Sequence, residues 1–413
     1  MSVNSVANNQ GQSVNNTDTP KKRSFFLTTL PFFVVAHAAH HLMTALHGPM
    51  LPPMQQEFKL NYAKSATITS AFALSGGASQ LPSGWLADRV GPTYLITMGI
   101  VGVAIGGLFV GLSPTYLMVI ASLIFMGLMS GGYHPASTPL ISMSVPPHQR
   151  GRAIGVHLIG GTGTFFITPM IAAAIAGVWG WRGVYLTLAI PSAILGTLFF
   201  FYLNKRYGKA QVEEMKRKQT EERPPQPGYK RRLWAFMIMM VIGGGAGATV
   251  HSFLSLYTVD VLGATNKQGA MVLSWIFVSG MYGAPLGGYI SDKIGSAKVI
   301  ITTDILGGLM IFGLVWVQEY GMAFKMVLFM LGLIHAIRFP TAEVFIMGQS
   351  PAKHRSTIYG IYYSTMQYTG AIFAPIMGYF IDVYGFHTMF TFSAYAVTAV
   401  AFITAFFIYD AKD

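Results

Sequence analysis

The first apolar run of the chain carries four histidines, His37, His40, His41 and His47. Imidazole titrates near neutral pH, which suits a proton-coupled step. His37 and His41 stand four residues apart and share one helix face, while His40 and His47 lie on another. Such residues can line a pathway, or they can simply hydrogen-bond neighbouring helices or sit at an outer interface. A metal ion is the weaker reading, because no carboxylate or thiolate accompanies the cluster. No metal and no cofactor is expected. A later run carries His335, Arg338 and Glu343. Arginine keeps its proton, so Arg338 is expected to line a cavity and attract an anion rather than form a purely structural pair with Glu343 or Asp304. Glu343 is the first choice for a carboxylate proton carrier, with His37 and His41 beside it. His134 precedes Pro135, which frees a backbone carbonyl and bends its helix, so His134 marks either a pathway or a structural kink. Tyr133, Tyr363 and Gln367 complete the expected substrate set. Asp304 is assigned to Lys298, and Glu57, Asp260 and Asp382 to solvent.

These residues need a scaffold that composition defines. Of 413 residues, 52% are hydrophobic and 10% charged, with a mean hydropathy of +0.49. A soluble domain is about one quarter charged. The chain therefore reads as an all-α membrane protein embedded in a lipid bilayer. Its net charge of +12 does not point to nucleic acid, since the cations sit between the apolar runs in a positive-inside pattern. Lys59, Lys64, Arg182, Lys267 and Lys325 fall on the opposite side, which puts both termini in the cytoplasm. Cysteine is absent.

Residues 1–24 read as a disordered cytoplasmic tail, and Lys21, Lys22 and Arg23 hold it inside. Twelve spanning segments follow, at about 25–50, 62–86, 93–112, 114–142, 152–178, 182–204, 232–259, 267–290, 297–317, 322–349, 355–380 and 386–409. They group as a six-helix bundle over 25–204, a cytoplasmic linker over 205–231 and a second six-helix bundle over 232–409. The linker is rich in Lys and Arg, is interrupted by Pro224, Pro225 and Pro227, and is expected to lie on anionic lipid.

The halves repeat. Gly84, Asp88, Arg89 and Gly91 return 204 residues later as Gly288, Asp292, Lys293 and Gly295. Pro135, Arg150, Gly155 and Gly180 return at an offset of 205 as Pro340, Arg355, Gly360 and Gly385. Several motifs held in one order at one spacing mean two homologous halves, the plan of a rocking transporter with its site between them.

On these residues the chain resembles the major facilitator superfamily from about 25 to 410. The Gly84–Gly91 motif, its second copy and the Pro147–Arg152 loop carry the resemblance. Tyr133 to Ser137 is similar to the His-Pro motif of fosmidomycin-resistance-type exporters, and Pro49 to Phe58 also resembles that group. Gly155, Gly160, Gly161, Gly163 and Pro169 resemble the glycine-rich fifth helix of antiporters, without its central Gly-Pro pair. Gly280, Gly283, Gly287 and Gly288 are expected to form the packing partner of that helix.

The resemblance implies a secondary active transporter, with Gly84, Asp88, Arg89, Gly91, Gly288, Asp292, Lys293 and Gly295 as a gating motif and Asp88 capping helix eleven. The expected activity is proton-coupled export of a small anionic or amphiphilic compound by alternating access. Uptake of an organic anion by proton symport is the alternative. No enzyme is expected, because phosphate loops, catalytic carboxylate pairs and nucleophile elbows are missing. The expected partners are substrate, protons and lipid, with a monomeric chain in the cell inner (plasma) membrane.

Overall fold

The computed structural model describes residues 25–411 apart from 61, 223–225 and 265. The expected N-terminal tail, with Lys21 to Arg23, lies outside the described residues, as do Pro224 and Pro225. The described chain is helical and has no strand. Twelve helices make the two bundles. The first six are α1 (Leu30–Thr44), α2 (Tyr62–Val90), α3 (Pro92–Leu112), α4 (Tyr116–Met143), α5 (150–179) and α6 (181–206). The second six are α7 (Tyr229–Asp260), α8 (Asn266–Ile294), α9 (Ser296–Trp316), α10 (Met322–Gln349), α11 (355–384) and α12 (386–408).

The duplication is visible in the backbone itself. Gly91 and Gly295 end α2 and α8 with φ of 101° and 91°, a region that side chains disfavour. Gly180 and Gly385, with φ of 65° and 80°, break the continuous helices that become α5–α6 and α11–α12. Each break spans one residue, so neither pair of helices has a loop between them.

Local chemistry explains two further irregularities. Gly131 and Gly132 interrupt α4 ahead of Tyr133–Met143, where Pro135 cannot donate the amide a continuous helix would need. Met98–Gly102 in α3 winds as a π-turn. There Gly99 lies so close to α4 that a Cβ would come 2.6 Å from the Tyr133 amide nitrogen.

Large apolar side chains such as Leu27, Leu117, Phe201 and Trp316 remain exposed on the outer surface, where lipid replaces water as the solvent. Among the described residues, seven helical stretches are long and apolar enough to cross a membrane. The helices outside that set, α1, α2, α8 and most of α11, carry many of the polar side chains discussed below. Two apolar clusters each belong to one half, around Met126 and Tyr185 in the first and Tyr257 and Phe390 in the second. A third draws on both halves, joining Leu140 and Tyr133 to Phe345 and Tyr359. The halves are therefore sealed together by a shared core.

Two pseudo-symmetric clasps reinforce that seal. At the crossing of α2 and α11, Asp88 accepts hydrogen bonds from the Ser356 amide (3.2 Å), the Thr357 amide (2.8 Å) and the Thr357 hydroxyl (2.8 Å). At the crossing of α8 and α5, Asp292 accepts from the Gly151 amide (2.8 Å), the Arg152 amide (3.0 Å) and Arg152 Nε (3.3 Å). Free amides of a helix N-terminus carry partial positive charge, so a carboxylate there is favoured. Arg89 and Lys293 do not pair with these aspartates. They stack one turn back over Trp85 (3.9 Å) and Tyr289 (4.5 Å).

The linker forms a helix, Lys209–Glu222, that docks on the first clasp rather than only facing lipid. Val212 is buried, Met215 packs on the shared core, and Lys216 Nζ donates to the Asp88 carbonyl at 3.0 Å. The glycine expectation for α5 and α8 holds only at part of the contact. Gly288 and Gly151 meet each other, and Gly155 meets Ala284, but Gly283 and Gly287 face Ala336 and Ile337 of α10. Gly160 and Gly161 face α1, and open space surrounds Gly163 and Gly280. One glycine stripe serves two neighbours because successive small residues point around the helix.

Candidate functional site

A cavity of about 330 Å³ lies between the halves. The first half contributes His37, His40, His41, Thr44 and His47 from α1 and the turn after it, Gln80 from α2, Ser130 and His134 from α4, and Gly161 and Phe165 from α5. The second half contributes Phe339 from α10 and Tyr363, Met366 and Gln367 from α11. Among the described residues, none that lines the cavity is a Lys, Arg, Asp or Glu.

The histidines are set by backbone contacts. His37 Nδ1 meets the His157 carbonyl at 3.0 Å, and His40 Nδ1 meets the Gly99 carbonyl of the π-turn at 2.6 Å. His41 Nδ1 meets Thr44 Oγ1 at 3.1 Å. With Nδ1 committed as donor to a carbonyl, the other ring nitrogen of His37 and His40 is left as an acceptor. The His37 ring stacks on His157 at 4.3 Å and lies 4.7 Å from His41 and 5.2 Å from His134. His134 stacks on Tyr363 of the other half at 4.7 Å.

His157 is a member of this cluster that the sequence reading omitted. Its only advance signal was a histidine inside an apolar run. Gln80 and Thr44 were also missed, being common helix residues with no spacing to mark them.

Four residues sit elsewhere than expected. Tyr133 is not on the cavity wall: it is fully buried, stacks on His37 and His40, and donates its hydroxyl to the Phe33 carbonyl at 3.3 Å. Arg338 is absent from the wall as well, because its Nε hydrogen-bonds and ion-pairs with Asp304 of α9. A guanidinium in an apolar bundle is costly without a counter-ion, and the neighbouring helix supplies one. Asp304 consequently belongs to Arg338 rather than Lys298. At the far end of the bundle Glu57 is engaged too, accepting from Trp181 Nε1 and Arg182, each at 2.7 Å.

Glu343 lies one layer behind the wall and is fully buried. Tyr363, which lines the cavity, donates to it at 2.9 Å. Thr138 of α4 donates to its other oxygen at 3.4 Å, and Tyr359 donates to Thr138 at 3.1 Å. The carboxylate thus ends a hydroxyl chain that crosses from one half to the other.

Two homologous six-helix bundles around a central cavity define a membrane transporter. The chain belongs to the Major Facilitator Superfamily, whose family profile matches residues 33–375 and again 270–413. It is a multi-pass membrane protein and a transporter, not an enzyme. Among known proteins it is similar to the multidrug resistance protein MdtG of Salmonella paratyphi C, with 24% identity over 90% of this chain and 92% of that one. MdtG of Salmonella schwarzengrund is 25% identical over the same shares. Of solved structures, the transporter FucP in its outward conformation covers 93% of this chain and 99% of its own, with TM-score 0.72 and 17% identity. The human organic anion transporter MFSD10 (TETRAN) covers 91% and 98%, with TM-score 0.73 and 13% identity.

Proposed function

We propose that the protein exports a small anionic or amphiphilic compound in exchange for protons, by alternating access at the central cavity. The observation that carries this reading is the placement of Glu343: behind a cavity-lining tyrosine and hydrogen-bonded to both halves. An ionised Glu343 accepts from Tyr363 and Thr138. A protonated one gives up an acceptor and loses the charge assistance, worth about 1.5–3 kcal/mol for a bond to a charged group. Proton uptake would therefore loosen the seam between the halves, and release would tighten it. The charged and titratable groups around Glu343 are Tyr359, Tyr362 and Tyr363 of α11, with Arg338 held away by Asp304.

Export is supported by the multidrug resistance relatives over nearly the full chain. The substrate class is supported by the wall, where imidazole, hydroxyl and amide groups alternate with Phe165, Phe339 and Met366 and no carboxylate repels an anion. In this reading Gly84, Asp88, Gly91 and their copies Gly288, Asp292 and Gly295 form a gate on the cytoplasmic side of the inner membrane. Arg89, Lys205, Arg206 and Arg231 at helix ends and Lys216 of the linker helix cluster at that end. The bundles are taken as 25–204 and 232–409, joined by 205–231, and the protein as a monomer with both termini inside.

The test replaces Glu343 by glutamine in proteoliposomes. Glu343→Gln is expected to abolish transport driven by an imposed pH gradient while substrate exchange continues. Full uphill transport by the variant would remove Glu343 as the proton carrier.

A further inference from the structure

His37, His41 and His134 offer ligand nitrogens that all lie within 4.8 Å of one another. We infer that these three imidazoles form a binding site for a divalent transition ion of the zinc class, with a fourth coordination position open to the cavity. In the sequence a metal is the weaker reading because no thiolate or carboxylate accompanies the histidines of α1. The fold supplies the third from α4, where the break before Pro135 turns His134 toward α1.

Four observations support the assignment. The first is the free valence: His37 Nε2 and His134 Nδ1 are buried and have no hydrogen-bond partner, a costly state for a polar atom. The second is ring orientation. Metal-binding histidines usually commit their other nitrogen to a carbonyl, carboxylate or water, and His37 does so with the His157 carbonyl. His41 Nδ1 pairs with the Thr44 hydroxyl.

The third observation is space. A Cβ on Gly161 would sit 2.8 Å from His37 Nε2 and 3.0 Å from His41 Cδ2, so α5 presents a bare surface against the cluster. The fourth is the donor set. Three neutral imidazoles with one open position are a known zinc arrangement, at Zn–N distances of about 2.0–2.1 Å. Reaching it requires the rings to draw inward by roughly 1 Å, a shift that side-chain torsions can provide.

Three neutral ligands leave the ion its full charge. Because all three histidines line the cavity, the open position faces the substrate space and would accept an anionic oxygen. That last step rests on the substrate class proposed above, and it supplies the cation that the Arg338–Asp304 pair withholds from the wall.

The test uses full-length protein purified without a polyhistidine tag. Calorimetric titration with Zn2+ is expected to give one site per chain. His37→Gln and His134→Gln should weaken it by about 100-fold, whereas His47→Gln, on the same cavity wall, should leave it intact. Undiminished binding in a variant carrying both His37→Gln and His134→Gln would overturn the site. Variant misfolding is bypassed by X-ray absorption at the zinc edge of the wild type, where three imidazole nitrogens are expected and fewer than two would overturn the assignment.

With Co2+ in the site, methylphosphonate should shift the visible bands, and an unchanged spectrum would remove the anion from the fourth position. Ion binding needs neither substrate nor gradient. Its failure would leave the Glu343 mechanism standing, and failure of that mechanism would leave the ion site standing.

Discussion

At the α2–α11 clasp and at the α8–α5 clasp an aspartate near the end of one helix accepts the first amides of another. Both aspartates are almost excluded from solvent. The difference lies in the cation. Asp292 receives Arg152 from the very helix it caps, so that clasp is complete within two helices. Asp88 receives Lys216 from the linker, which also holds the Asp88 carbonyl. The first clasp is thus reinforced by the linker, and the second is not. Duplication preserved the carboxylate and the capped helix end but left the counter-charge to be supplied by whatever each half had nearby.

The largest effect is expected from denying both clasps their close approach. A Cβ at Gly288 would fall 2.0 Å from the Gly151 carbonyl oxygen, and one at Gly84 would fall 2.3 Å from that of Ser356. The obstruction is backbone in both cases and cannot rotate away. Gly288→Ala is expected to reduce transport to background and leave cysteines placed near Arg152 open to a water-soluble thiol reagent. Wild-type transport in that variant would show that this close approach is not needed during the cycle.

Removing charge alone should do less. Asp88→Asn keeps the shape but forfeits charge-assisted bonds worth about 1.5–3 kcal/mol, roughly a 10- to 100-fold shift toward the open arrangement. Folding should survive, as read by the thermal melt, while labelling near Ser356 rises. An unchanged labelling rate would mean Asp88 does not hold the clasp.

Lys216→Gln isolates the asymmetry. It should loosen the Asp88 clasp by about 0.5–1.5 kcal/mol and leave labelling near Arg152 as it was. Equal loosening at both sites would refute the independence of the second clasp.

Arg217→Ala should change neither, since its pairs with Glu214 and Glu221 are exposed on the outer face of the linker helix.

Much of this organisation was legible because it is periodic. The repeat spacing announced two halves, and the recurrence of Asp88 as Asp292 marked equivalent places in them. The spacing of His37 and His41 put two imidazoles on one face of α1. Side-chain direction between helices was less legible. Arg338 and Glu343 belong to one run, and nothing in their spacing tells which faces α9 and which faces α4. The structure turns Arg338 to Asp304 and Glu343 to Thr138. Tyr133 illustrates the same limit: it is adjacent to His134 in sequence, yet one ring is a wall and the other is the layer behind it. A linear pattern records level along a helix well and rotation about it poorly when several neighbours are available.

The single-residue breaks at Gly180 and Gly385 have a mechanical consequence. Helices α5 and α11 carry the capped N-termini at one end of the bundle and reach α6 and α12 at the other through one glycine each. A loop would absorb displacement, but a one-residue joint has almost no slack. A displacement of the capped end of α5 away from Asp292 would reach α6 through Gly180 alone, beyond what Pro169 and the α5 glycines absorb. The same linkage runs through α11 to α12. The ends of each half are thus linked through a single glycine with no intervening loop.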